Sequence, residues 1–330
     1  MNLYELIRDV KTLTIAGMCK NAGKTTVLNA CVKALYDHGE FGFALTSIGS
    51  DGEEVDIVTA TKKPEIYVRE DTIIATSVSA LRLSDITKEI LMTTGVYTAM
   101  GEVIVARAKS GGKVVLSGPS TVDSLMKLCE MLCVFGVSRV IIDGAISRKS
   151  LSVPKLSDGA ILSTGASLSK GLDSVVKKTA YAVNLFSLPG FSGFSDIEKR
   201  ASPVAINDGE IIEFTHGLDM LIDFPFIKYV RCFGAITGTV AEKFFRFKNM
   251  TIVADDPTKI MLSEAMFEKL ALKNICFMVE QPIRLVCVTI NPFSAYGTGF
   301  NATNFENTMK NALAKYNIPV LNVMNEVNKC

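Results

Sequence analysis

A chain of 330 residues with 48% apolar side chains and a mean hydropathy of +0.30 is expected to bury a sizeable core, as two domains or as one large domain with an appendage. Its 35 basic and 34 acidic residues leave a net charge of +1 and form no basic stripe, so a nucleic-acid partner is not expected. The apolar runs last five to eight residues between polar breaks, against the ~20 that cross a bilayer, so a membrane partner is not expected either.

The opening segment, MNLYELIRDVK, is amphipathic and acidic and lacks the apolar region of a secretory leader. Eight cysteines (Cys19, Cys31, Cys129, Cys133, Cys232, Cys276, Cys287 and Cys330) include no C-x-x-C pair. With only His38 and His216 to join them, a zinc site is not expected. Free thiols without an export signal point to a reducing, cytoplasmic setting.

Leu13 to Thr26, LTIAGMCKNAGKTT, reads as a buried strand, a glycine-bounded loop, and Lys24-Thr25-Thr26 opening a helix. This order of elements suits the phosphates of a nucleoside triphosphate. Backbone N–H groups of Gly17, Asn21, Ala22 and Gly23, with the free N–H groups at Lys24, Thr25 and Thr26, would converge on the anion. Lys24 would place its charge on the β- and γ-phosphates, and the Thr25 hydroxyl would sit on Mg²⁺. The usual G-x-x-x-x-G-K-[ST] spacing wants glycine at 18, where Met18 stands; Gly17 comes one residue early. An ordinary helix start is the other reading, but strand, loop length, Gly23-Lys24-Thr25 and helix agree against it. The expected ligands are ATP and Mg²⁺, the lack of an Asn-Lys-x-Asp motif favouring ATP over GTP.

A helix is predicted from Thr25 to Asp37, with Val27, Cys31, Ala34 and Leu35 inward and His38-Gly39 ending it. Phe41 to Ile48 follows as a second strand, and this βαβ step signals a parallel sheet. Thr46 and Ser47 point to its phosphate end. The next loop holds Asp51, Glu53, Glu54 and Asp56, and Asp51 is the first choice for a metal contact, Glu53 the second; a solvated acidic loop is the alternative. Glu65–Arg69 and Thr72–Thr76 around Glu70-Asp71 predict a hairpin, Ser84–Met92 a helix, and Glu102–Arg107 with Lys113–Leu116 a second hairpin; the two hairpins would form a lip over the site.

Ser117 to Thr121 is a turn that caps a helix from Val122 to Phe135, or adds a second anion contact. Arg139 to Asp143 is an apolar strand ending in aspartate, and Asp143 would orient Mg²⁺ or its water from the neighbouring strand. Arg148 and Lys149 just beyond it face either phosphate or solvent. A strand (Asp158–Thr164) and a helix (Ser169–Leu185) precede Ser187–Phe194, a Gly/Pro/Ser-rich linker candidate. The expected domains are therefore 1–190 and 191–330. The second contains strands at 211–214, 229–233, 251–254, 283–290 and 320–323 and helices at 239–247 and 304–316. Asp255-Asp256 and the loop Asn291–Gly299 either form a second wall facing the phosphate loop or are ordinary turns. The expected fold class is α/β, a mostly parallel P-loop NTPase sheet with inserted β-hairpins and a second α/β domain.

The early Gly17 gives a loop one residue longer than usual, and in this the chain resembles dethiobiotin synthetase and its relatives in the SIMIBI class of P-loop proteins. Lys20, four residues before Lys24, resembles the G-x-x-K-x-x-G-K-T loop of cyclic diphosphoglycerate synthetase and could reach the phosphates; a solvated loop lysine is the alternative. The signature lysine of MinD-type ATPases would fall on Cys19, so a lysine crossing a dimer is not implied. GMCKNAGKTT, TSIGSDGEE, Gly118-Pro119-Ser120 and NPFSAYG together resemble the KamB-type reactivase subunit of adenosylcobalamin-dependent lysine aminomutases. That resemblance implies a regulatory or chaperone ATPase that exchanges damaged cobalamin on an aminomutase partner, acting with a second ATPase subunit. Two alternatives stay open: an ATP-dependent ligase or kinase on a small carboxylate or phosphate, with Lys20, Arg148 and the Gly118 turn as acceptor contacts, and a nucleotide-binding scaffold without turnover. No Ser-His-Asp or Cys-His arrangement is present. The chemistry open to Lys24, Asp143 and Lys20 is therefore phosphoryl transfer by positioning and charge.

Overall fold

A computed structural model describes residues 2–49, 65–144, 156–207, 210–224 and 226–323. The chain divides into two compact units, Met1–Ala180 with Arg284–Cys330, and Tyr181–Ile283. The first opens with α1 (Leu3–Ile7), β1 (Thr12–Gly17), α2 (Lys24–Asp37), β2 (Phe43–Ser47), β3 (Ile66–Val68), β4 (Ile73–Ser77) and α3 (Val78–Leu83). It continues through β5 (Lys88–Thr98), β6 (Gly101–Ala108), β7 (Gly112–Val114), α4 (Val122–Cys133), β8 (Arg139–Asp143), β9 (Gly159–Gly165) and α5 (Leu172–Phe186), in which the chain passes to the second unit. There follow β10 (Val204–Asn207), β11 (Glu210–Glu213), β12 (Tyr229–Cys232), β13 (Ile236–Thr237), α6 (Gly238–Glu242), β14 (Met250–Ala254), β15 (Ile260–Met261), α7 (Glu264–Ala271) and β16 (Ile275–Val279). The chain then returns to the first unit with β17 (Leu285–Asn291), α8 (Ala302–Leu313) and β18 (Val320–Leu321).

The fold is α/β with a large, mostly parallel mixed sheet. Among the described residues nine strands pair in the order β18-β17-β9-β1-β8-β2-β4-β6-β5. Every pairing from β18 to β4 is parallel, and β6 and β5 add antiparallel strands at one edge. The inner strands are continuous apolar runs because both sheet faces are covered. On one face Leu13, Ile15, Leu45, Ile141 and Ile161 pack against Val27, Leu28, Cys31 and Leu35 of α2. On the other, Ala44, Val140 and Ile142 meet Leu125, Leu128 and Leu132 of α4. No helix among the described residues is long and apolar enough to cross a membrane.

Three local expectations are corrected. The runs at 65–69 and 72–76 do not pair with each other: β4 enters the large sheet between β2 and β6, while β3 pairs antiparallel with β7. The burial patterns explain this, since β4 is buried throughout and β3 alternates. The helix expected at 84–92 lies earlier, as α3, capped by the Ser77 side chain on the Ala80 N–H and ended by an extended Ser84. Residues 88–98 are instead β5, in keeping with their β-branched and aromatic content (Ile90, Thr93, Thr94, Val96, Tyr97, Thr98). The hairpin thus joins β5 to β6, not β6 to β7, and widens the sheet instead of forming a lip.

The expected linker and domain boundary also shift. Pro189 and Phe191 bracket Val279 in backbone hydrogen bonds, so this Gly/Pro stretch lies along β16 inside the second unit. Phe194, almost fully buried, packs with Val204 and Val253; two phenylalanines turn a linker composition into a strap. Residues from Arg284 onward, expected in a 191–330 domain, belong to the first unit because β17 pairs with β9. The second unit is α/β too, with strand order β11-β10-β12-β14-β16 and parallel pairing from β12 to β16.

Buried Arg231 on β12 fastens the strap. Its Nη1 donates to the carbonyls of Phe194 (2.8 Å) and Ile197 (3.1 Å), and Nη2 pairs with Asp255 (3.4 Å) and Glu280. Removing the guanidinium would take one buried charged donor from two carboxylates and two carbonyls. Arg231→Ala is expected to destabilise the second unit by about 3–5 kcal/mol in urea unfolding. An unchanged midpoint would show that the network adds no stability.

Candidate functional site

Strand register brings the carboxyl ends of the central strands together. Ile15 lies beside Asp143, Asp143 beside Ser47, Gly17 beside Ser163, and Ser163 beside Thr289. On the face covered by α2 the strands thus close with Ser47, Asp143, Gly17, Ser163, Thr289 and Asn291. Two residues before Ser47, Asp143, Gly17, Ser163 and Thr289 stand Leu45, Ile141, Ile15, Ile161 and Cys287. An apolar face therefore ends in a polar rim, at the strand ends where α/β sheets take ligands.

The loop from Gly17 to Thr26 rises from this rim. The Met18 N–H donates to the Ser163 carbonyl at 2.9 Å, which fixes the exit of β1. Asn21 (φ +58°) and Gly23 (φ +93°) are left-handed and turn the chain into α2. Gly23 is the N-cap and supplies no side-chain acceptor, and the first turn, beginning Lys24-Thr25-Thr26, contains no acidic residue. A helix start normally draws an acceptor or a carboxylate to its free N–H groups. Here a lysine stands there instead, costing on the order of 0.3–1 kcal/mol against the helix dipole. A methyl on Gly17 would lie 3.0 Å from Cγ and Cδ of Lys24, so the lysine stem runs back across the glycine. A side chain at 17 would crowd this stem.

Asn291, at the end of β17, braces the loop. Its Nδ2 donates to the Asn21 carbonyl at 3.0 Å and its Oδ1 accepts from the Phe293 N–H at 3.1 Å. A methyl on Gly23 would lie 3.3 Å from Asn291 Cβ, so the two chains pack closely there. The segment after β17 is also bound to the segment after β9, through Ala166 N–H to Asn291 O and Ala295 N–H to Ser167 Oγ. Of the expected second wall, the Asn291–Gly299 loop therefore stands beside the Gly17–Thr26 loop. Asp255 and Asp256 belong to the other unit, where Asp255 accepts from Gly234 N–H and Asp256 caps Thr258.

Across β1, Asp143 closes β8. The Gly144 N–H donates to Ile15 O and the Ile48 N–H to Asp143 O, holding the ends of β1, β8 and β2 together. The Gly118 turn lies on the end of β2: its N–H donates to Ser47 Oγ at 2.9 Å, and a methyl there would fall 1.8 Å from the Ser47 carbonyl. Thr121 caps α4 by accepting from Ser124 N–H. Thr46 Oγ1, Ser117 Oγ and Asn21 Nδ2 are buried without a hydrogen-bond partner among the described residues.

Gly17, Lys20, Asn21, Ala22, Gly23, Lys24, Thr25 and Thr26 thus form one loop and helix start, with Asp143 on the adjacent strand. Asp51, Glu53, Glu54, Asp56, Arg148 and Lys149 lie outside the described residues. The parts not singled out beforehand are Asn291 as a brace and the Ser163 carbonyl. Asn291 carried a signal, an amide followed by proline at the end of an apolar strand; the carbonyl carried none. The arrangement is suited to holding an anion: left-handed turns, a helix start without a side-chain cap, a lysine above a glycine and a polar rim. Comparison of the chain with family models, curated proteins and solved structures gives no match.

Burial pushes the Cys19 thiol up to about 11, against the opposing pull of the Lys24 charge. Roughly one Cys19 in a thousand is then thiolate at pH 8, against about a quarter of ordinary thiols. Alkylation of Cys19, followed by peptide mass spectrometry, should be slow at neutral pH and rise about tenfold per pH unit to pH 10. A plateau below pH 9 would contradict this burial.

Proposed function

We propose that the chain is an ATP-binding P-loop NTPase of the SIMIBI class that uses Mg²⁺. The observation that carries this reading is the start of α2, where uncapped amides and Lys24 gather positive charge with no acidic residue in the first turn. An anion with several oxygens suits a helix start that has no side-chain acceptor. The residues also fit a bound Mg-nucleotide in kind: Thr25 offers a hydroxyl at the helix start, and Asp143 a carboxylate from the next strand. Bound Mg-ATP supplies the transferable phosphoryl group. The chain's own part is to donate N–H groups from Asn21 to Thr26, to set the Lys24 and Lys20 charges against the phosphates, and to orient water or metal with Asp143.

Within this class we assign the protein a regulatory role, as a reactivase ATPase acting on an adenosylcobalamin-dependent aminomutase with a second ATPase subunit. The support is the joint presence of GMCKNAGKTT, TSIGSDGEE, Gly118-Pro119-Ser120 and NPFSAYG. The first and last of these are joined by the Asn291–Asn21 hydrogen bond. A cytoplasmic setting accords with seven described cysteines, all free. One observation favours a second reading, a ligase or kinase for a small carboxylate or phosphate: the Gly118 turn sits on the end of β2, next to the strand of Asp143, where an acceptor would lie. Phosphate release stimulated by a mutase fits the first reading, and release that needs a small acceptor fits the second.

Calorimetry with Mg-ATP and a phosphate-release assay test the common core. Lys24→Ala is expected to lose measurable binding and turnover with an unchanged circular dichroism spectrum. Asp143→Asn is expected to keep binding and lose at least about a hundredfold in turnover. Lys24→Ala turning over ATP at the parent rate would contradict the assignment.

A further inference from the structure

The second unit contains a cavity of about 230 Å³, walled by residues of that unit and separate from the phosphate loop. It lies where β10 begins and β12 ends: Pro203 precedes Val204, Val204 pairs with Arg231, and Cys232 closes β12. β12 is parallel to β14, and the carboxyl ends of such strands are where α/β units take ligands. Further walls come from Gly217 and Leu218 after β11, and from Val240 of α6 with Lys243 just beyond it. Hydrogen bonds fix this frame. The Phe214 N–H donates to the Pro203 carbonyl and the Gly217 N–H to the Phe214 carbonyl, both at 2.9 Å, and the Gly234 N–H to Asp255 Oδ2 at 3.3 Å. The Phe233 ring is held by the Arg231 guanidinium, 4.4 Å from its centroid. Protein interiors rarely leave voids larger than a water molecule. Here small residues keep one open: Ala201, Gly217 and Ala235 line it, and a methyl on Gly217 would meet nothing within 4 Å.

The lining determines the chemistry of an occupant. Pro203, Leu218, Phe233 and Val240 offer apolar surface, and burial pushes the Cys232 thiol up to about 12, so it stays neutral. Among the described residues no carboxylate, hydroxyl or amide side chain lines the cavity, and Lys243 is its one charged residue. Lys243 is exposed and makes no hydrogen bond or ion pair among the described residues. A lysine that borders an apolar cavity from the surface lays its stem on the wall and keeps its ammonium at the rim. The acids of this region are engaged elsewhere: Asp219 pairs with Arg246 at 2.9 Å, and Asp255 and Glu280 pair with Arg231. An apolar cavity of about 150 Å³ holds benzene, so this one has room for a ring or branched chain that carries one more group. We propose that the cavity binds a small monocarboxylate, its apolar body against Leu218, Phe233 and Val240 and its carboxylate on the Lys243 ammonium. A sugar would find no polar side chains inside to replace its water, and a cation would meet a charge of its own sign.

The test is a saturation-transfer NMR titration of the full chain with three probes of similar shape: benzoate, benzyl alcohol and benzylammonium. Benzoate is expected to bind about tenfold tighter than benzyl alcohol through its charge-assisted hydrogen bond, and benzylammonium more weakly than either. Lys243→Gln should lose about tenfold for benzoate and leave benzyl alcohol unchanged, while Lys243→Arg keeps the parent order. Val240→Phe, which fills the cavity, should lose both. Should that variant unfold, the Lys243 variants, changed at an exposed position, still decide the matter. A parent protein that binds benzoate no tighter than benzyl alcohol overturns the proposal, as does a Lys243→Gln variant that keeps the parent's preference. A parent protein that binds none of the probes at millimolar concentration overturns it as well.

Discussion

The positive start of α2 is the constraint around which the first unit is organised. Fourteen helical residues begin with a glycine cap that offers the first turn no side-chain acceptor and with a lysine where the dipole disfavours one. The turn is not left loose. Gly17 admits the lysine stem, the Ser163 carbonyl holds Met18, and Asn291 grips the Asn21 carbonyl from two strands away. A helix start held this firmly, with no side-chain cap and no acidic residue in its first turn, is suited to an anion. The left-handed Asn21 belongs to the same device, since its carbonyl is turned toward the amide that holds it.

Sheet topology then assigns roles by position. The central strand carries the loop, the strand on one side ends in Asp143, and the two on the other end in the segments that brace the loop and carry exposed aromatics. None of this needs long side chains reaching across space. It follows from parallel strands in register, whose carboxyl ends form one rim. The close approach of Gly118 to the Ser47 carbonyl extends the same principle to the β2 side, where no Cβ could be accommodated.

Much of this was legible in the residues because the signals were local. A buried run, Gly17, Gly23-Lys24-Thr25 and a helical period specify strand, loop and helix together, and the run Arg139–Asp143 specifies its neighbour. What was illegible depended on pairing. Residues 65–69 and 72–76 are adjacent in sequence and both β-rich, yet only one had both faces buried, and sequence spacing does not report that. Residues 84–92 carry enough polar and long side chains to suggest a helix, yet from Lys88 the chain is the strand that pairs with β6. The strap at 189–194 read as a linker because glycine and proline outweighed Phe191 and Phe194. Its true partner, the edge of β16, lies more than eighty residues away. The return of β17 to the first sheet was likewise a matter of partner choice, and with it came Asn291, the residue that ties the site together.

The central claim is that the amides from Asn21 to Thr26 hold a triphosphate under Lys24. A crystal structure of the protein with Mg²⁺ and a non-hydrolysable ATP analogue tests it most directly. The account predicts phosphate oxygens within hydrogen-bond distance of those amides and of Lys24 Nζ, with the metal at Thr25. A nucleotide bound elsewhere, or a loop empty at saturating ligand, would contradict it.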